Sequence, residues 1–585
     1  MLFVQRPGLA PAPLSAPPIG YQPAMTPRLP LILALYGCTG TFTDGPNVRP
    51  ADPEPADTDT DTDADTDTDA DTDADTDTDE GSDTGGMTRY TEEPYPAEDP
   101  YRIKGLQPDF WYSPDEVAGN QTGSVAMNLV WSSWQPEERA APCDAGQVAF
   151  DGWCFQPDAG VEAAIADWTT RGLSITAVVY GVPAWARTTR ACSPVSPGFE
   201  IFCAPDDPSD YARFVGLLAR RYNGHNGVGR VSDFVIHNEV NSNSWFDIGC
   251  GQGVACDAAE WTSIYAANYV AAFDAVRQEQ SVAKVFVSLE HHFASPDYDL
   301  PADYDALVSG QTMLTAVAAA AGDRDWRVAY HPYAPDLLSA TFSADDWPRV
   351  TYGNLGALPG WLYATWPDSA AATDIHLTES GINSLAPSSE SAQATAVCDT
   401  FVNVLGTPGV SRYIYHRMQD HPDETASGLG LGLWTAEGVA KPAWATWALA
   451  NRSDLDPAQL SCGFEHVPYT VLSRSYDAAR GHWASSRLPP ESFTVEYSWY
   501  LWREEQADTT LLFECAVGEH NLLTPDPGCE GLQAMGPVGW IHDAEVAGSV
   551  ALYRCYVADS GDHFISPSSS CEGHTVERLL GYAVE

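Results

Sequence analysis

Positive charge is scarce in this chain: 29 Lys and Arg stand against 81 Asp and Glu, giving a net charge of −52 over 585 residues. A surface of that sign repels phosphate backbones and anionic lipid headgroups, which argues against nucleic acid as a partner. A neutral polysaccharide meets no such barrier. No Cys-x-x-Cys occurs, and no Cys/His grouping has the spacing of a zinc site, so a metal centre of that kind is not expected. The Gly-punctuated loop with a closing Glu that a calcium motif requires is also missing. The apolar run at residues 29–35 is too short to span a bilayer.

What the chain does have is apolar and aromatic material. Hydrophobic residues make up 44% and aromatics 11%, with 19 Trp and 26 Tyr. That is enough for packed cores and for flat faces of the kind that stack on sugar rings. The length allows one barrel of about 250 residues or more together with a smaller module.

The acidity is partly local, since residues 51–84 hold 16 of the acidic residues and no Lys or Arg. From Asp57 to Glu80 the chain is nearly pure Asp-Thr. Such a segment buries nothing and repels itself, so residues 39–90 read as an extended, disordered linker. Upstream, Leu29 to Leu35 follows Arg28 and ends at Tyr36-Gly37-Cys38, which resembles a bacterial lipoprotein signal with Cys38 as the lipidated residue. Residues 1–38 then form the leader, with Met25 as its natural start, and an ordinary cleaved secretion signal is the alternative. Either reading places the protein outside the cytoplasm, at a bacterial surface or secreted. Any membrane association would then run through that N-terminal anchor alone.

With Cys38 set aside, the other 12 cysteines fall into short-range neighbours: 143 with 154, 192 with 203, 250 with 256, 515 with 529 and 555 with 571. Cys398 and Cys462 remain as a long-range pair. The pattern suggests disulfides and an oxidising compartment, although spacing does not fix connectivity.

Between residues 91 and 455, apolar runs of strand length alternate with helical stretches, the order that produces a parallel sheet with crossover helices. Eight strands are expected, at 102–106, 125–130, 175–180, 234–236, 285–289, 327–330, 375–378 and 413–415. Helical periodicity marks 161–170, 211–222, 261–277 and 304–320. The fold class is therefore α/β, a (β/α)8 TIM barrel followed by a smaller β-rich domain. Catalytic groups in such barrels lie just beyond the C-terminal ends of the strands. Those positions hold Trp131 and Trp134, Trp185, Asn238 and Glu239, His291 and His292, His331 and Tyr333, and Glu379.

The motifs His237-Asn238-Glu239 after the fourth strand and Thr378-Glu379-Ser380 after the seventh resemble those of clan A glycoside hydrolases, retaining enzymes built on this barrel. The resemblance spans roughly residues 100–450. It implies Glu239 as general acid/base, Asn238 as the holder of the sugar's 2-hydroxyl and Glu379 as nucleophile. It further implies that His331 and Tyr333 contact substrate and orient the nucleophile. Trp434 and Trp185 are further substrate-binding candidates, Trp434 as a sugar platform. Val240 stands where many members have Pro, and Trp434 lies farther from its strand than is usual.

The chemistry needs one carboxyl kept protonated for the leaving oxygen and one ionised for attack, with no metal or organic cofactor. The competing reading is a non-catalytic, glycan-binding or adhesive surface lipoprotein on the same scaffold. At 468–585 the sequence repeats three times at an offset of 40 residues, aligning Leu472, Leu512 and Leu552 and placing His482, His520 and His563 in successive copies. Units this short pack together as one β-rich module, suited either to carbohydrate binding or simply to mutual packing.

Overall fold

The computed structural model describes residues 86–96, 102–108, 114–195, 197–251, 253–295, 306–463 and 468–585. Met25, Cys38, the leader and the Asp-Thr run lie outside the described residues.

Eight strands close a parallel barrel: β1 (Lys104–Leu106), β2 (Ser124–Val130), β5 (Ser174–Tyr180), β6 (Asp233–Ile236), β7 (Lys284–Glu290), β8 (Arg327–His331), β9 (Ile375–Leu377) and β10 (Val410–Tyr415). A small hairpin, β3 (Val148–Phe150) with β4 (Trp153–Phe155), lies between the second and third of them. Each barrel strand sits at one of the eight expected places, because strands buried on both faces read as continuous apolar runs. The long crossover helices start where a side chain can accept from free backbone N–H groups: Asp158, Asp207, Asp257, Ser309 and Ser389 each cap one.

One expected helix begins later than its periodicity suggests, at Gly310, with residue 321 as its end. Ser309 provides the cap, and the residues just before it pair with the loop after β6 instead: Ala306 N donates to Asn243 Oδ1 at 2.8 Å and Val308 N to Asn241 O at 2.9 Å.

The bottom of the barrel is closed by ion pairs. Lys284 and Arg327 both hold Asp374, at 2.8 and 2.7 Å, and the Tyr95 hydroxyl donates to Asp233 at 2.6 Å. The opposite end, at the carboxyl ends of the strands, is left for the site.

The C-terminal region is an antiparallel nine-stranded sheet structure made of three successive three-strand units. These are β11 (Tyr469–Asp477), β12 (Gly481–Ser485) and β13 (Thr494–Trp502); β14 (Thr509–Val517), β15 (His520–Thr524) and β16 (Gln533–His542); and β17 (Ser549–Val557), β18 (Asp562–Ser566) and β19 (Thr575–Val584). The second and third units carry register shifts at matching places, after Leu512 and after Leu552. Leu472, Leu512 and Leu552 meet in one buried cluster, so each unit supplies part of a core that none could form alone.

This sheet structure is pressed onto the barrel with little between the backbones. At Gly536, φ is +128°, and a Cβ there would lie 2.2 Å from Gly356 O, just before helix Ala357–Thr365. Beside this contact the buried Arg487 donates to Pro537 O at 2.8 Å and to Glu514 Oε2 at 2.6 Å, and Glu514 also accepts from Ser485 and Asn521. Among the described residues six disulfides are present, pairing the cysteines as their spacing suggests; Cys398–Cys462 ties helix Glu390–Leu405 to the segment leading out of the barrel. Arg487→Ala leaves Glu514 buried without its cation, so it should cost about 3–5 kcal/mol and lower the urea midpoint. A midpoint within error of wild type would contradict the role given to this pair.

Candidate functional site

The fourth barrel strand ends at Ile236, and the chain then turns through two left-handed residues that are not glycine, His237 at φ 58° and Glu239 at φ 39°. Such conformations cost of order 1–3 kcal/mol each and persist only where neighbours overdetermine them. The neighbours are here: His237 N donates to Val179 O at 3.0 Å, Glu239 N to Ser288 Oγ at 3.0 Å and Val240 N to Ser288 O at 3.0 Å. The His237 ring stacks on Tyr211 with centroids 4.1 Å apart, and Trp261 Nε1 donates to Val240 O at 3.0 Å. The result aims Glu239 at the barrel axis.

Glu379 is fixed from the other side. Tyr333 donates its hydroxyl to Glu379 Oε1 at 3.0 Å, and His416 N donates to Ser380 O at 3.0 Å. The hydroxyls of Tyr352 and Ser380 are hydrogen-bonded. Gly381 follows because nothing larger fits: a Cβ would stand 1.9 Å from His416 O.

The two turns bring the carboxylates together. One oxygen of Glu239, one of Glu379 and one nitrogen of His331 all lie within 4.8 Å of each other. His331 is fully buried, with Nδ1 2.7 Å from Glu239 Oε1 and Nε2 3.0 Å from Thr378 Oγ1. This differs from the expectation that it faces substrate and orients the nucleophile: both ring nitrogens are engaged, and it supports Glu239. Tyr333 is the residue that holds Glu379.

Burial pushes the Glu239 carboxyl up. His331 opposes this, while the nearby charges of Glu379 and Glu290 add to it, and the net shift is upward. For His331, burial favours the neutral ring, but the bond to Glu239 and the charges of Glu379 and its neighbours outweigh it and leave the group raised. The pair therefore keeps a shared proton to higher pH than an isolated glutamate would. Burial, and then the charge of Glu379, also hold the Tyr333 hydroxyl protonated, so it remains a donor.

The structure adds groups that sequence patterning did not single out. Ser288 and Thr378 act through the hydrogen bonds above. Glu290, the last residue of β7, is buried and would be raised by burial, but His292 and then His291 hold it down to about 2. Arg349, 18 residues beyond the end of β8, returns to donate to His292 Nε2 at 3.3 Å. His291 and His292 stood out as polar residues after a strand; nothing in the spacing points to Arg349.

The remaining candidates are placed as follows. Asn238 is buried, and its Oδ1 has no hydrogen-bond partner among the described residues. Trp185 is half-buried, donates to Gln135 O at 3.0 Å and packs edge-on to Trp131 at 5.4 Å. Trp434 is half-buried against Trp444 at 5.5 Å, which in turn stacks on Trp447.

Fold and site together define a (β/α)8 barrel with two buried glutamates converging at the carboxyl ends of its strands. The chain belongs to a family of unknown function, DUF5722, whose model matches residues 96–458. The match covers the barrel and stops before the C-terminal sheets. No curated protein matches.

Solved structures that resemble it include a family 39 glycoside hydrolase from the gut symbiont Bacteroides cellulosilyticus WH2, at 13% identity and a TM-score of 0.43, covering 84% of this chain and 82% of that one. A glucosidase from Croceicoccus marinus gives 12% identity and a TM-score of 0.41, covering 61% and 68%. A GH39 enzyme from Xanthomonas axonopodis pv. citri gives 13% and 0.40, covering 61% and 67%.

The charges around Glu239 lead to a direct measurement. In protein labelled with 13C-glutamate, and with Glu239→Gln to assign the signal, Glu239 should titrate above the free-glutamate value of about 4.3. Glu290→Gln removes a negative charge that raises both Glu239 and His331, so the midpoint should fall. A midpoint that stays put would overturn this electrostatic account.

Proposed function

We propose that the chain is a retaining glycoside hydrolase acting on a polysaccharide or oligosaccharide. The observation that carries this reading is the approach of Glu239 and Glu379 within 4.8 Å at the barrel mouth, one with a raised carboxyl and a proton shared with His331. Retaining enzymes hold their two carboxyl groups about 5–5.5 Å apart, whereas inverting enzymes leave room for a water between them.

In the first step Glu239 gives its proton to the glycosidic oxygen as that bond breaks, and a Glu379 oxygen forms a bond to the anomeric carbon. The Tyr333 hydroxyl holds the Glu379 carboxylate in line. In the second step Glu239, now ionised, takes a proton from water while the water oxygen replaces Glu379 on carbon. Both carboxyl groups return to their starting state. The buried, unpartnered Asn238 Oδ1 is suited to accept from the sugar's 2-hydroxyl.

The setting proposed for this activity is extracytoplasmic. Six disulfides support an oxidising compartment, and the sequence ending at Cys38 supports lipid anchoring or secretion.

Glu379→Gln should abolish turnover of a cleaved glycan while leaving its binding intact, and a 2-fluoro glycosyl fluoride should label Glu379 in the wild type, read by peptide mass spectrometry. A panel of polysaccharides bound but never cleaved, with no labelling, would favour the adhesive reading. Glu239→Gln should slow hydrolysis of substrates with poor leaving groups by about 10²–10⁴-fold, whereas activated aryl glycosides should keep a fast first step and accumulate the glycosyl-enzyme, because the second step has lost its base. Glu239, His331 and Glu379 also have the make-up of a metal-binding trio. Their hydrogen bonds instead suit proton transfer, so EDTA should leave the rate unchanged, and loss of activity restored by a divalent metal would count against the two-carboxylate mechanism.

A further inference from the structure

Beside the catalytic carboxylates, the ends of the fifth and sixth barrel strands carry a second polar cluster that this chemistry does not use. Glu290 ends β7, and His291 and His292 follow it; the loop after β8 brings Arg349 back against them. The loop is tied in place on both sides of Arg349, with Val350 N donating to His291 O and Ala294 N donating to Pro348 O, each at 3.0 Å.

Glu290 is occupied by three donors, namely Asn241 Nδ2 at 2.6 Å, His292 N at 2.9 Å and His292 Nδ1. Arg349 Nε donates to His292 Nε2 at 3.3 Å, across the ring from the Nδ1 that meets Glu290. The Glu290 charge is thus turned away from the guanidinium. Among the described residues no carboxylate pairs with Arg349, and no acceptor meets its two terminal NH2 groups, in a chain where acidic residues outnumber basic ones 81 to 29. Next to it the His291 ring stacks on His292 with centroids 4.6 Å apart and planes 27° apart. His291 is buried, and its Nε2 has no partner among the described residues.

A half-buried guanidinium with a free fork matches the geometry of a carboxylate or sulfate, and a neighbouring imidazole with an unmet nitrogen adds a further polar contact. The position suits the reaction: Glu290 pairs in register with His331, and its charge acts on both His331 and Glu239. Arg349 meets that same strand end through His292, so a group held there would sit at the barrel mouth.

We propose that Arg349 and His291 form a subsite for an acidic sugar unit, one carrying a carboxylate or a sulfate ester, adjoining the Glu239–Glu379 pair. The assignment rests on the glycosidase reading for its substrate class. It also gives a local cation a purpose on a molecule whose overall charge repels acidic polymers, since short-range recognition has to overcome that repulsion.

The test is affinity electrophoresis of the Glu379→Gln protein through gels holding polygalacturonic acid, alginate or dermatan sulfate, each beside its carboxyl-reduced or desulfated counterpart. One acidic polymer should bind at least tenfold more tightly than its neutral form; Arg349→Ala should erase that preference and Arg349→Lys keep part of it, with unchanged melting temperatures as the folding control. Carboxylate and sulfate polymers tell the two sources of the anion apart. Equal retardation by acidic and neutral forms, no retardation by any acidic polymer, or a preference that survives Arg349→Ala would overturn the subsite, and wild-type cleavage of a neutral glycan would then still stand on its own. An acidic polymer that is bound through Arg349 but never cleaved by wild type would support the subsite and sink the glycosidase reading.

Discussion

Three buried carboxylates around one imidazole cannot all be ionised and unpartnered in the same low-dielectric space, and the mouth of this barrel is arranged around that constraint. Glu290 keeps its charge because three donors converge on it. Glu379 is met by the Tyr333 hydroxyl. Glu239 shares a proton with His331, which is anchored in turn on Thr378. These partners come from the ends of β6, β7, β8 and β9, so the electrostatic problem is solved only when the barrel has closed.

The same dependence appears in the backbone. His237 and Glu239 occupy left-handed conformations that neither residue favours, and the hydrogen bonds holding them come from β5 and β7 on either side. At the opposite turn, Gly381 lets the chain pass against His416 without a side chain between. Strain on one side and close approach on the other leave the two carboxylates little freedom to separate. Groups held this way are pre-organised, with little rearrangement left to make.

How much of this can be read in the sequence depends on the range over which each feature is specified. Buried parallel strands announce themselves as local apolar runs, and cysteines 6 to 16 residues apart announce their partners, so the barrel and most of its disulfides are legible. Glu239 and Glu379 stand out because they follow countable strands. His331 is legible as a site residue but not in its role, since a side chain after a strand can turn towards either carboxylate and only packing decides. Arg349 sits in a long loop with no periodicity around it, and its neighbour His292 is 57 residues away. Left-handed backbone at a histidine and a glutamate has no signature in composition. The helix expected from residue 304 shows the same limit, its apolar spacing overruled by tertiary pairing with the loop after β6.

The contact between Gly356 and Gly536 carries a consequence of another kind. Where two backbones touch, no side chain can be inserted on either face without prising the pieces apart, so neither face can drift in sequence alone. Accessory domains joined by flexible tethers can be exchanged between enzymes like cassettes. This one cannot: a barrel that lost its companion would expose a glycine-lined flank with no other use, and a borrowed replacement would have to match it atom for atom. The family match ends at residue 458, short of the sheets that this contact seats against the barrel.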